Sequence, residues 1–123
     1  MTVLLDSWAW IEYIKGSKFG NEVNRYVDSE EEIIISSINI SEIYKKLLDD
    51  MPNEADRIIE MVLNRSFFVF ADVEISLNAA RIKHEKKMGM ADAIVLATAK
   101  SHKAKIITGD NDFRGLDNVK IIS

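Results

Sequence analysis

The sequence predicts a single α/β domain built on a central parallel sheet of about five strands, with helices on both faces. Three observations carry this. Short apolar runs alternate with helical stretches along the whole chain, and that alternation builds parallel sheets through helical crossovers. The runs Val3-Leu4-Leu5 and Ile33-Ile34-Ile35 are apolar at every position, as expected of strands covered on both sides. The chain has 123 residues, 47% hydrophobic and 29% charged, enough for one core and too few for two ordinary ones. The domain is therefore expected to span residues 1–123.

Each element has its own signal. Val3–Leu5 form the first strand, ending at Asp6. After Ser7, Trp8, Ile11 and Ile14 recur at helical spacing, and Gly16 closes that helix. Phe19, Val23, Tyr26 and Val27 mark a second short helix. Glu30-Glu31-Glu32 reads as a solvated turn before the strand Ile33–Ile35, which Ser36-Ser37 bounds. Asn39-Ile40-Ser41-Glu42 has the pattern of a capping box opening a helix from Ile43 to Leu48. Pro52 suits the first turn of the next helix, whose apolar face is Ala55, Ile58, Ile59, Val62 and Leu63. Phe67–Phe70 reads as the third strand. Asp72 can cap a long helix carrying Ile75, Leu77, Ala79, Ala80 and Ile82, ended by Gly89. Ala91–His102 form a helix of small residues suited to close packing. Lys105–Thr108 give the fourth strand, Gly109–Asp112 a tight loop and Val119–Ile122 the fifth strand. There is no internal repeat and no linker.

Composition excludes several kinds of function. Cysteine is absent, which removes disulfides, thiolate metal sites and a cysteine nucleophile. No apolar run approaches the roughly 20 residues of a membrane span. The start Met1-Thr2-Val3-Leu4-Leu5-Asp6 lacks the basic residues and long apolar stretch of a signal peptide, so a cytoplasmic location is expected. The net charge of −4 excludes a protein that grips nucleic acid by charge alone. Something other than net charge would have to bring such a ligand in, and bound divalent cations could do so.

Parallel α/β sheets bind ligands beyond the carboxyl ends of their strands, and that rule sorts the acidic residues. Asp6 ends the first strand. Glu42 lies in the first turn of the predicted helix after the second. Asp110 and Asp112 follow the fourth strand. Asp92 opens the helix that feeds the fourth strand, and a crossover helix runs antiparallel to its strand, so its start lies on the same side. Taken singly, Asp6 and Asp92 could serve helix starts, Glu42 a capping box, and Asp110 and Asp112 a turn. Together, five carboxylates at one rim repel one another and raise each other's pKa. A bound cation neutralises such a cluster. Oxygen donors without Cys or convergent His suit Mg²⁺ or Mn²⁺ rather than Zn²⁺.

The segments Leu4-Leu5-Asp6-Ser7, Ser41-Glu42, Ala91-Asp92-Ala93-Ile94 and Thr108-Gly109-Asp110-Asn111-Asp112-Phe113 resemble, in order and spacing, PIN-domain nucleases. Size and motif order are similar to the VapC-type toxins of prokaryotic toxin–antitoxin pairs. The likeness covers essentially the whole chain. It implies a PIN-like three-layer sandwich and a metal-dependent endoribonuclease, a homodimer held inactive by a cognate antitoxin. Carried over by position, the catalytic and metal-binding quartet is Asp6, Glu42, Asp92 and Asp110. Asp112, Thr108 and Ser7 support it, with Mg²⁺, or Mn²⁺, as cofactor and RNA as substrate. Trp8 and Trp10 depart from the expected pattern and change the shape of the site entrance.

Phosphodiester hydrolysis needs an activated water and stabilisation of charge on the phosphate, which one or two cations supply. Asp6 and Asp92, from the two central segments, are the first choice of direct ligand. Glu42 binds directly or through water, and Asp110 completes a second position. Other candidates are weaker. His84, beside Lys83, Lys86 and Lys87, and His102, beside Lys100, Lys103 and Lys105, read as solvated basic helix ends; the alternative is contact with RNA phosphate. Trp8, Trp10, Tyr13 and Tyr44 suit base stacking or a partner surface. Arg114 could reach a phosphate. The apolar surface of the first helix and of Ile43–Leu48 predicts a homodimer. A non-catalytic PIN-like binding module is the competing reading, against which the intact acidic set counts. A phosphoryl-acceptor domain needs paired acids at the first strand and a late lysine, and Leu5-Asp6 and Thr108-Gly109 offer neither. An aspartyl-phosphate phosphatase needs an acid where Trp8 stands.

Overall fold

A computed structural model describes residues 1–123. Its strands are β1 (Thr2–Leu5), β2 (Glu32–Ile35), β3 (Phe67–Phe68), β4 (Lys105–Thr108) and β5 (Val119–Ile121). Its helices are α1 (Ser7–Lys15), α2 (Lys18–Val27), α3 (Ser37–Asp50), α4 (Ala55–Arg65), α5 (Val73–Glu85) and α6 (Met90–Ser101). The five strands are all parallel, in the order β3-β2-β1-β4-β5. Chain order runs outward from β1 to one edge and then from β4 to the other. The β1–β4 junction is therefore the switch point at which crevices open in such sheets.

The apolar runs of the strands explain the three layers. Side chains alternate across a sheet with period two. Val3, Leu5, Ile33, Ile35 and Ile107 join one buried cluster with residues of α1 to α4. Leu4, Ile34 and Ile106 join the other with α5 and α6. The small residues Ala93, Ala97 and Ala99 of α6 are buried, which lets that helix lie close to the sheet. Gly16 ends α1 in the left-handed region, with φ 69°, and its N–H donates to Tyr13 and Glu12 carbonyls. A residue without a Cβ is favoured there.

Several local expectations are corrected. The capping box opening α3 is Ser36 with Asn39, not Asn39 with Glu42. Ser36 Oγ accepts from the Asn39 N–H at 3.2 Å, and Asn39 Oδ1 accepts from the Ser36 N–H at 3.3 Å. The helix thus starts at Ser37, and Glu42 sits in its second turn rather than its first. Pro52 lies in a turn before α4 rather than within it. β3 stops at Phe68, two residues short, because its partner β2 ends at Ile35, the residue that pairs with Phe68. α5 ends at Glu85, and Gly89 is the residue before α6, not the end of α5. Glu32 belongs to β2 rather than to the turn. Ala9, Trp10, Ile43 and Leu47 are fully buried inside the subunit. Much of the apolar surface expected to pair with a second copy is thus core. No helix is long and apolar enough to cross a membrane.

Candidate metal centre

The acidic residues reach one crevice because of where their elements end. Asp6 follows β1 without a linker and stands just before α1, yet its side chain makes no capping hydrogen bond. Its oxygens are engaged elsewhere. Thr108 Oγ1, at the end of β4, donates to Asp6 Oδ2 at 2.9 Å, and Asn39 Nδ2 donates to Asp6 Oδ1 at 3.2 Å. The same Asn39 amide donates to Ser7 Oγ at 3.1 Å, and Ser7 Oγ donates to Glu42 Oε1 at 2.6 Å. On the other side, Thr108 Oγ1 accepts from the Asp110 N–H at 3.0 Å, and Asp110 Oδ1 accepts from the Asp112 N–H at 2.9 Å. One hydrogen-bonded chain therefore runs from Glu42 through Ser7, Asn39, Asp6 and Thr108 to the loop carrying Asp110 and Asp112.

Asp92, in the first turn of α6, faces that loop. One carboxylate oxygen from each of Asp92, Asp110 and Asp112 lies within 4.8 Å of the others. Donors to one shared cation stand at most roughly 4–5 Å apart, given metal–oxygen distances of about 2.0–2.6 Å. The three thus fit a hard cation, and all their donors are carboxylate oxygens. Asp6 and Glu42 lie outside this trio. Both line the adjoining cleft of about 540 Å³, with Ser7, Asp92 and Asp110.

The electrostatics follow from burial and crowding. Asp6 is buried, and its carboxyl is pushed from 3.8 up to about 6. Loss of solvent is the main cause, opposed by the Thr108 hydroxyl and the Ser7 N–H and reinforced by the charges of Glu42 and Asp92. Asp92 is half-buried and also raised, first by desolvation and then by Asp110, Asp112 and Glu42. No cationic side chain forms an ion pair with any of these acids. A cation bound among them would oppose these effects and favour the ionised carboxylates.

A PIN domain profile matches residues 3–119. The chain belongs to the PIN domain family. No curated protein matches the sequence. Among solved structures, this PIN domain resembles a toxin–antitoxin complex from Klebsiella pneumoniae, with TM-score 0.86, 23% identity and 98% of each chain covered. It resembles VapBC-1 from nontypeable Haemophilus influenzae at TM-score 0.76 and 20% identity, again over 98% of each chain. It also resembles Mycobacterium tuberculosis VapC20, a Sarcin-Ricin loop cleaving toxin, at TM-score 0.71 and 14% identity, covering 95% of this chain and 98% of that one. At such identities the likeness is one of fold.

The remaining side chains divide by position in the PIN domain. Trp8 lines the cleft and packs on Phe19, with ring centroids 5.6 Å apart. It also covers Gly109 so closely that a Cβ there would sit 2.5 Å from the indole. Trp10 is a core residue, edge-on to Tyr13. The Tyr44 hydroxyl donates to Asp56 on α4, away from the acids. Arg114 donates to Asn111 Oδ1 at 2.9 and 3.2 Å and so braces the acidic loop. His102 meets Ser101 Oγ and Phe67, His84 is exposed, and neither lines the cleft. Sequence reasoning missed Asn39 and Lys46. Asn39 was masked by its capping pattern. Lys46 is one turn beyond Glu42 and lines the cleft, its ammonium 3.2 Å from Asp50. Both share a helix face with Glu42, three residues before it and four after, a spacing that could have found them.

Proposed function

We propose that this PIN domain is a Mg²⁺- or Mn²⁺-dependent endoribonuclease, the toxin of a VapBC-type pair, cytoplasmic, homodimeric and held inactive by a cognate antitoxin. The observation that carries the reading is the Asp92–Asp110–Asp112 trio at the β1–β4 switch point, with Asp6 buried behind it. The likeness in fold to toxin–antitoxin structures supports the partner, and VapC20 supports RNA as the substrate class.

In this reading Asp92, Asp110 and Asp112 hold the cation, with Asp6 and Glu42 completing its surroundings directly or through water. The bound cation supplies an activated water and stabilises charge developing on the scissile phosphate. Thr108 and Asn39 fix both oxygens of Asp6 and so set where its charge lies. Ser7 holds the exposed Glu42 carboxylate at the mouth of the cleft. Such orienting partners keep ligating groups in place before the cation arrives. No histidine base is needed, and none lines the site.

Purified protein should cleave single-stranded or looped RNA with Mg²⁺ or Mn²⁺, and EDTA should stop it. Asp92→Asn should abolish cleavage and leave the far-ultraviolet circular dichroism unchanged. Equal cleavage by both proteins would mean that the activity is a contaminant and the assignment wrong.

A further inference from the structure

We propose that the pole opposite the acidic rim carries a second cleft, which binds the backbone of the RNA substrate away from the cutting site. The proposal rests on the ribonuclease reading above. At that pole α5 and α6 end and β4 begins. A cleft of about 560 Å³ is lined there by Lys86, Lys100, Lys103 and Lys105. The four come from different places: the end of α5, the last turn of α6, the turn after it and the first residue of β4. All four are exposed, and none forms an ion pair or a side-chain hydrogen bond. Lys18, Lys83, Lys87 and Lys120 also form no ion pair, so what sets the four apart is that they line one cleft. Asp117 is the one acid lining the cleft. In a chain of net charge −4, this is a concentrated positive field, and phosphates are the anions it would draw.

The form of the cleft narrows the ligand. A phosphodiester backbone presents regularly spaced anionic oxygens to such a row of lysines, and in a chain read as a ribonuclease that backbone is RNA. Lys103 lies at φ 52°, the left-handed region that disfavours residues with a Cβ. A lysine held there places its charge in the cleft at the expense of backbone comfort, a pattern associated with function. The twelve residues of α6 set the cleft about 18 Å from the acidic rim, so one RNA must be several nucleotides long to reach both.

The test is fluorescence anisotropy with a labelled 20-nucleotide single-stranded RNA and the full chain in EDTA, where the acidic rim repels phosphate. The triple variant Lys86→Ala, Lys100→Ala, Lys103→Gly removes three charges, and glycine suits the backbone at 103. The triple should bind at least tenfold more weakly. Its slope of log affinity against log salt should be shallower by about 2, at roughly 0.7 per phosphate contact on a single strand. Equal affinity and slope for wild type and triple would overturn the cleft, as would tighter binding of polyglutamate than of RNA. Cleavage by the wild type in Mg²⁺, run in parallel, separates the two proposals. A wild type that binds through the lysines but cuts nothing overturns the nuclease reading and supports the cleft. One that cuts, while the triple binds as tightly, overturns the cleft alone.

Discussion

Asp6 is where burial and charge conflict most sharply. Its folded pKa of about 6, against 3.8 for an ordinary aspartate, means that the folded state holds the proton more tightly than the unfolded one. The unfavourable charge is absent below the unfolded value, builds as pH rises from about 4 to about 6, and stays at full size above. The difference amounts to about 3 kcal/mol of stability lost over that window. Urea denaturation from pH 3.5 to 7 should show a steeper fall in the metal-free wild type than in Asp6→Asn, which keeps the contribution of the raised Asp92 in the same direction. The absolute stability of Asp6→Asn is less simple, because Asn39 and Thr108 both donate to Asp6 and an amide would set a donor against a donor. Asp92 has no such partners. Asp6, Asp92 and Asp110 were legible as candidates because strand ends and helix starts can be read from apolar runs. Asn39 was not, because its capping role and its reach to Asp6 use the same side chain. Asp112 was legible at the same rim, but that it, rather than Asp6 or Glu42, joins Asp92 and Asp110 depends on how the loop turns, which no spacing reveals.

At the scale of elements, two contacts hold the site's surroundings. The loop after β4 passes under Trp8 at Gly109 with no room for a Cβ. Gly109→Ala should push the indole or the loop aside, cost about 1–3 kcal/mol as overpacking does, and weaken cation binding because Asp110 rides on that loop. Thermal melts and Mn²⁺ titration would show both effects; unchanged melting and affinity would mean that the loop yields freely. The second contact is Arg65, at the end of α4. Its guanidinium donates to the carbonyls of Tyr26, Val27, Ser29 and Glu31 at 2.8–3.0 Å. It ties α4 to the segment that leads into β2. Arg65→Met keeps the apolar stem but strands those carbonyls, and should cost about 2–3 kcal/mol in urea denaturation. The order and type of the elements were legible because a buried parallel strand is apolar throughout and a helix is periodic. The start of α3 was misread because Asn39 and Glu42 imitate a capping box that Ser36 and Asn39 form one turn earlier. Nothing in the sequence near Arg65 announces its four carbonyl partners, which lie more than thirty residues away.

At the scale of the whole molecule, the sheet order gathers the uncompensated acids at the switch point, while the lysines of Lys86, Lys100, Lys103 and Lys105 gather at the other pole. Without a cation the acidic end is held together against its own repulsion, the usual relation between a working site and stability. Removing one charge at the half-buried Asp92 relieves part of it, so metal-free Asp92→Asn should melt above the wild type. The cap of α6 is Gly89, so if Asp92 only complemented the dipole at the start of that helix, removing its charge would lower the melting temperature instead. Convergence of these carboxylates on one cation is tested most directly by melting wild type and Asp92→Asn with and without Mg²⁺ or Mn²⁺. At a free cation concentration of 100 Kd the wild type should gain about 2.7 kcal/mol, and Asp92→Asn, though more stable in EDTA, should gain far less. Identical melting of both proteins, with and without cation, would contradict it.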